Sequence, residues 1–272
     1  MPRLFVAVLF LLCTLPARAE LMLHPTRIVF EKNQRAAQIE LINNGTQPAT
    51  YRIAIVNRRM TAAGQFEAAD TPAPDERFAD TMLRFSPRQV TLQPGTVQTV
   101  RVMLRKPADL PDGEYRSHLQ FDKLPDPDGA TSIDRQDGAG IGVVLNALVG
   151  ASVPVIVRHG ATAAQVSLAA LALALEAGAA GGTMLSLRFE RTGSASVYGD
   201  LNVTFTPQGG QPRTLAQVGG IAVYTPNRTR QATLPLRVPA GTRLAHGQLS
   251  VSFHERAEAG GALLAQAHLD LP

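Results

Sequence analysis

The sequence predicts an all-β protein built from two immunoglobulin-like sandwich domains. Three observations carry this. Short segments alternate apolar and polar residues, and each is closed by Gly, Pro or Asn turn chemistry, as antiparallel strands with one buried face require. Helical periodicity is scarce. The segments recur at intervals of about 8 to 12 residues over a 272-residue chain, which is the spacing of sandwich strands and the length of two ordinary domains.

In chain order, Ile28-Val29-Phe30 leads into Ala37, Ile39 and Leu41 in alternation, ended by Asn43-Asn44-Gly45, a reverse-turn signal. Tyr51, Ile53 and Ile55 alternate next. Thr61 to Asp80 carries Gly64, Pro72 and Pro74 and reads as an exposed connection. Leu83 and Phe85 precede Pro87, Val90 and Leu92 run into Pro94-Gly95, and Val100, Val102 and Leu104 share one face of a further strand. A long apolar strand ends at Arg158-His159-Gly160, which marks the boundary between domains at 20–159 and 160–272. Beyond it, Leu185-Leu187-Phe189, Leu201-Val203-Phe205, Ile221-Val223, Leu234-Leu236-Val238 and Leu249-Val251-Phe253 alternate in turn. The Ala/Leu-rich stretch Ala169 to Ala177 favours helix by propensity, yet Leu171, Leu173 and Leu175 alternate, and it is read as a strand.

Residues 1–19 stand apart. Arg3 gives a basic start, Leu4 to Leu15 is apolar, and Pro16-Ala17-Arg18-Ala19 ends in small residues, so cleavage by signal peptidase is expected after Ala19. The apolar run is shorter than the roughly 18 residues that span a bilayer, and export without membrane insertion follows. Cys13, the single cysteine, falls in this leader; the exported chain then has no disulfide, thiolate metal site or cysteine nucleophile. The 26 basic residues, Arg3 and Arg18 among them, face 22 acidic ones, and aromatics make up 5% of the chain. Without a basic stripe interleaved with aromatics, no nucleic-acid partner is expected.

No catalytic pattern emerges. His24, His118, His159, His246, His254 and His268 show no metal-ligand spacing and read as lone surface histidines. Gly138, Gly140 and Gly142 follow a loop with Asp134 and Asp137 where a dinucleotide fingerprint needs a strand. Ser117 and His118 are adjacent, so on a strand their side chains point to opposite faces. The sequons at Asn44, Asn202 and Asn227 read as turn and strand residues. No enzyme activity, cofactor, metal or small-molecule substrate is expected.

The segment Ile141 to Val157 is the most informative. Ile141, Val143, Leu145, Ala147, Val149, Ala151, Val153, Val155 and Val157 alternate strictly, giving a strand far longer than the usual five or six residues. Two readings stand: a long core strand, or a strand whose leading half lends apolar side chains to another protein by strand addition.

Ordered motifs then resemble a known family. Thr26-Arg27-Ile28-Val29-Phe30, Ser86-Pro87 with Leu92-Gln93-Pro94-Gly95 and Val100-Arg101-Val102, and Leu110 to Tyr115 running on to Phe121-Asp122-Lys123-Leu124-Pro125 are similar to the PapD-like periplasmic chaperones of chaperone-usher pili. The resemblance spans about 130 residues of the first domain; the second matches mainly in size and strand content. It implies two sandwiches set at an angle, boomerang or L-shaped, in a periplasmic protein that stabilises pilus subunits by donor-strand complementation and delivers them to an outer-membrane usher. It further implies a donor strand at Ile141, Val143, Leu145, Ala147 and Val149, a subunit carboxylate anchor at Arg27, and an interdomain ionic cluster of Glu114, Arg158 and Glu255. The family's second basic anchor falls on Pro154, so the anchor is either single or completed by Arg101 or Arg116. The alternative is a secreted two-domain adhesion or structural module; a hydrolase is disfavoured by the missing nucleophile and metal motifs.

Overall fold

The computed structural model describes residues 21–125, 150–175, 182–239 and 241–272. In the first sandwich, β1 (Leu21–His24), β3 (Ala36–Asn43), β9 (Val97–Leu104) and β7 (Leu83–Ser86) form one sheet, in the order β1-β3-β9-β7. The facing sheet has the order β2-β11-β10-β4-β8, from β2 (Ile28–Phe30), β11 (Gly150–His159), β10 (Gly113–Lys123), β4 (Ala49–Val56) and β8 (Gln89–Leu92). Alternation dictates what each strand buries: Ile39 and Leu41, Val100 and Val102, Leu119 and Phe121 all point into one core. The predicted turn at Asn43 forms, and the Asn43 side chain that holds it is buried while Asn44 is exposed. Asn43 donates from Nδ2 to the carbonyls of Gln47 (2.8 Å) and Leu92 (3.0 Å), while its Oδ1 accepts from the Gly45 N–H (2.9 Å).

The second sandwich pairs β12 (Ala164–Leu175), β13 (Thr183–Gly193) and β16 (Thr229–Leu236) in one sheet. The other runs β15-β14-β17-β18, built from β14 (Val197–Pro207), β15 (Arg213–Val223), β17 (Gly247–Glu255) and β18 (Leu263–Leu271). The Ala/Leu-rich stretch is a strand through Leu175. Leu168 lies opposite Phe189, and Leu173 opposite Leu185. Leu171 and Leu173 pack on the second core, so tertiary pairing overrides helix propensity. A bulge between Ala169 and Ala172, with Ala170 at φ 52°, absorbs the register change.

Two expectations are corrected. Thr61 to Asp80 is more than an exposed connection: β5 (Arg58–Met60) and β6 (Phe66–Ala68) form a hairpin, and Ala69, Glu76 and Ala79 are buried. Glu76 accepts from Arg59 Nε (3.0 Å) and from the Ala73 N–H (2.9 Å). His118 is not a surface histidine but is fully buried, because β10 is covered on both faces from Gly113 to Leu119.

The two sandwiches meet through a small apolar cluster of Met60, Ile156, Ala222 and Tyr224, with Val29 and Tyr198 packed against it. The β5–β6 hairpin reaches across: Asn227 Nδ2 donates to the Met60 carbonyl (2.8 Å) and the Gln231 N–H to that of Ala62 (2.7 Å). The connection after β11 turns at Gly160 in the left-handed region, φ 65°. A Cβ there would stand 1.9 Å from Asp112 Cγ, so glycine is required both for conformation and for space.

Candidate functional site

β11 carries the first half of the site. It pairs along its whole described length with β10, Gly113 opposite His159 and Asp122 opposite Gly150. On its other side, β2 covers only Val155 to Val157, running parallel. Among the described residues, no strand pairs with the outer edge of Gly150 to Pro154, which therefore presents backbone donors and acceptors to an incoming strand. An open groove of about 680 Å³ lies along this edge, lined by Leu21, Leu23, Thr26, Ser152 and Val153 among others. Val153, Val155 and Val157 point into the core of the first sandwich. They continue the alternation of Ile141, Val143, Leu145, Ala147 and Val149, which lie outside the described residues, as does the cleavage point at Ala19.

Arg27 follows directly, between β1 and β2, where the chain leaves one sheet for the other. Its side chain lines an interdomain cleft of about 470 Å³ shared with Glu31, Arg158, Ser196, Tyr198 and Glu255. One nitrogen, Nη2, donates to Ser196 Oγ (3.3 Å), and the guanidinium carbon stands 4.6 Å from the ring centroid of Tyr198 and 5.4 Å from that of Tyr224. Its Nη1 is buried without a hydrogen-bond partner among the described residues. A half-buried cation held by two rings, with an N–H unspent, is suited to receive a carboxylate.

The same ring of Tyr224 holds Arg116 of β10, at 4.3 Å. Arg116 is buried and donates from Nη2 to the Arg58 carbonyl (3.2 Å), while its Nε and Nη1 have no partner among the described residues. Burial pushes its guanidinium below the usual arginine range, opposed by Tyr224 and Glu114. Tyr224 moves the other way, raised by burial against the pull of Arg27 and Arg116. With Phe66 near Arg116 (5.9 Å) and Arg256 near Tyr198 (5.8 Å), cations and rings alternate from one sandwich to the other: Phe66, Arg116, Tyr224, Arg27, Tyr198, Arg256. His118 packs edge-on to Phe66, with ring centroids 5.0 Å apart. Both its nitrogens are buried, with no hydrogen-bond partner among the described residues. Burial and the charges of Arg116 and Arg58 push its pKa down to about 3, leaving a neutral ring at neutral pH.

Arg101 is not brought to this cleft. It sits on β9 between inward-facing Val100 and Val102, so the strand period turns it outward, where it is exposed. Arg116 turns toward Tyr224 of the second sandwich because it lies on the other face of β10 from the core residues Tyr115 and Leu119, and it is buried beside the cleft without lining it.

Glu114 and Arg158 face each other across the β10–β11 ladder. Arg158 Nε bonds Glu114 Oε2 at 3.1 Å, and the Glu114 side chain is wholly buried. Glu114 also accepts from the Ser196 N–H (3.0 Å) and from Thr225 Oγ1 (3.4 Å), both in the second sandwich. The second carboxylate on Arg158 is Glu31, at 2.7 Å. Glu255 lines the same cleft but makes no ion pair with Arg158; the ladder brings β2 and its following turn nearer to Arg158 than the end of β17.

These features define a two-sandwich protein with an open strand edge leading to an interdomain cleft that holds Arg27. The family model for pili and flagellar-assembly chaperones, PapD N-terminal domain, matches residues 20–158. That is more than half of the chain, and the chain belongs to this family. No curated protein matches its sequence. Among solved structures it is similar to the YadV chaperone, at 14% identity and a TM-score of 0.45, covering 92% of this chain and 100% of that one. It is also similar to the Pseudomonas aeruginosa CupB2 chaperone (13% identity, TM-score 0.42, 92% and 99% covered). A third likeness is to a complex of the Salmonella enterica SafA pilin with the SafB chaperone (16% identity, TM-score 0.42, 94% and 98% covered).

Proposed function

We propose that this chain is a periplasmic chaperone that captures pilus subunits by donating a strand and delivers them to an outer-membrane usher. The open edge of β11 beside the cleft of Arg27 is the observation that carries this reading. A pilin that lacks a strand exposes an apolar groove and unpaired edge groups, both of which aggregate unless covered. In this proposal Ile141, Val143, Leu145, Ala147 and Val149 fill that groove, and the subunit's terminal carboxylate enters the cleft to meet Arg27. Arg116, with two unspent N–H groups against the same tyrosine, supplies the second cation in place of the residue at Pro154. Glu114 and Arg158 fix the second sandwich against the first and so hold the cleft open at constant width.

The test is co-expression with a pilin in the periplasm and co-purification. The wild-type chain should retain the subunit, and Val143→Asp/Leu145→Asp should lose most of it, since each buried aliphatic side chain contributes roughly 1.5 to 3 kcal/mol. Retention at wild-type yield by a folded double variant overturns the donor assignment. Failure of the wild-type chain to hold any pilin would favour a two-domain adhesion module.

A further inference from the structure

The end of the first sandwich nearest the interdomain connection holds a second concavity, of about 350 Å³. Two loops build it, the β2–β3 turn and the segment after β9, which are tied together by a hydrogen bond from the Leu104 N–H to the Arg35 carbonyl (2.8 Å). Lys32, Arg35, Arg105, Lys106 and His159 line it, and no acidic residue does. None of the four permanent cations is ion-paired among the described residues. Lys106 is the most enclosed: its Nζ donates to the Arg158 carbonyl (2.9 Å), and burial, followed by the charge of Arg35, lowers its affinity for the proton. Like charges gathered in one hollow repel, and a multivalent anion relieves that repulsion.

We propose that this concavity docks an acidic segment of a partner protein. Two features favour a peptide over a single bound anion. The cations are spread over two loops and suit several carboxylates in series. Exposed Pro107 and Ala108 lie among them and offer apolar contact that a bare phosphate could not use. His159 closes β11 at the opposite end from Gly150, roughly 30 Å away at 3.3 Å per residue. The Arg27 cleft lies nearer, since Glu31 and Arg158 line it next in sequence to Lys32 and His159, but the two concavities share no lining residue, and this proposal does not depend on the subunit reading.

The experiment is fluorescence anisotropy of a labelled peptide of alternating Glu and Ala against the exported chain, at about 50 and about 150 mM salt. Arg35→Glu/Arg105→Glu changes two exposed side chains and should weaken binding by about tenfold or more. Arg52→Glu/Arg243→Glu, also exposed and of equal net charge, should stay within about twofold of wild type. Equal losses in both variants would reduce the effect to net charge and overturn the proposal. So would no binding at low salt, displacement of the peptide by inorganic phosphate, or capture of phosphatidylglycerol vesicles through the same two arginines without capture of the peptide.

Discussion

Arg116, a buried cation of the first sandwich, rests 4.3 Å from the ring centroid of Tyr224, a buried residue of the second. Arg27 uses the same ring at 5.4 Å. One aromatic side chain therefore joins the two sandwiches and contacts both Arg27 of the cleft and the buried Arg116.

Loss of that ring should be felt in stability and in binding together. Tyr224→Leu removes two cation–ring contacts worth about 0.5 to 2 kcal/mol each, and at about 2 to 4 °C per kcal/mol for a chain of this size the melting temperature should fall by several degrees. Tyr224→Phe keeps the ring and should stay close to wild type. Thermal unfolding of the two variants separates the contribution of the ring from that of its hydroxyl.

Removal of the cleft cation should affect capture more than folding. Arg27→Ala deletes a half-buried side chain whose one hydrogen bond among the described residues is to Ser196 Oγ and whose other contacts are the rings of Tyr198 and Tyr224, so the protein should remain folded while co-purification with a pilin is largely lost. Arg27→Lys should restore capture in part, since an ammonium keeps the charge but not the planar fork. Normal pilin retention by Arg27→Ala would move the anchor to Arg116.

The ionic pair at the domain junction gives an ordered series. Arg158→Ala leaves the Glu114 carboxylate buried without its cation, a change that costs about 3 to 5 kcal/mol. Glu114→Ala should be milder, because Arg158 keeps Glu31 and partial access to solvent. Glu31→Ala, at an exposed pair, should cost about 0 to 1 kcal/mol. Glu255→Ala should leave stability unchanged. Urea unfolding of the four variants tests the order, and small-angle scattering should show a broadened interdomain arrangement in Arg158→Ala alone.

His118 predicts the acid side of the stability curve. Its pKa falls from 6.5 to about 3 on folding, so between those values the unfolded chain binds the extra proton. Stability contributed by the neutral ring is present above about pH 6.5 and declines as pH drops toward 3, by up to about 1.4 kcal/mol per pH unit. His118→Leu, which breaks no hydrogen bond of the ring, should flatten this part of the curve in urea titrations at pH 7, 6, 5 and 4. An unchanged slope would mean that other groups govern acid unfolding.

What the sequence showed and hid follows from the range of the interactions involved. Ile39 and Leu41, or Val100 and Val102, bury one face of a strand, and the period of two is enough to read them. The even positions of β10, Glu114, Arg116 and His118, are polar, and His118 read as a surface histidine. In the structure a second domain and the β5–β6 hairpin cover them, and no local pattern announces that cover. The hairpin was hidden for the same reason, since it is tied down by Asn227 and Gln231, 167 and 169 residues away in sequence from their partners Met60 and Ala62. Arg27 was legible through its motif; Tyr198 and Tyr224, which position it, were not.

The division of the first strand has one more consequence. β1 is registered on β3 in one sheet, His24 opposite Glu40, and β2 on β11 in the other, Ile28 opposite Val155; Arg27 sits in the short crossing between them. Its position is thus a joint product of both layers, and a molecule with a single sheet assembled carries the arginine without fixing it at the cleft. In the proposed function, competence to take a client therefore requires both sheets to be assembled, and a copy with only one of them formed lacks the place where a subunit's terminus is held.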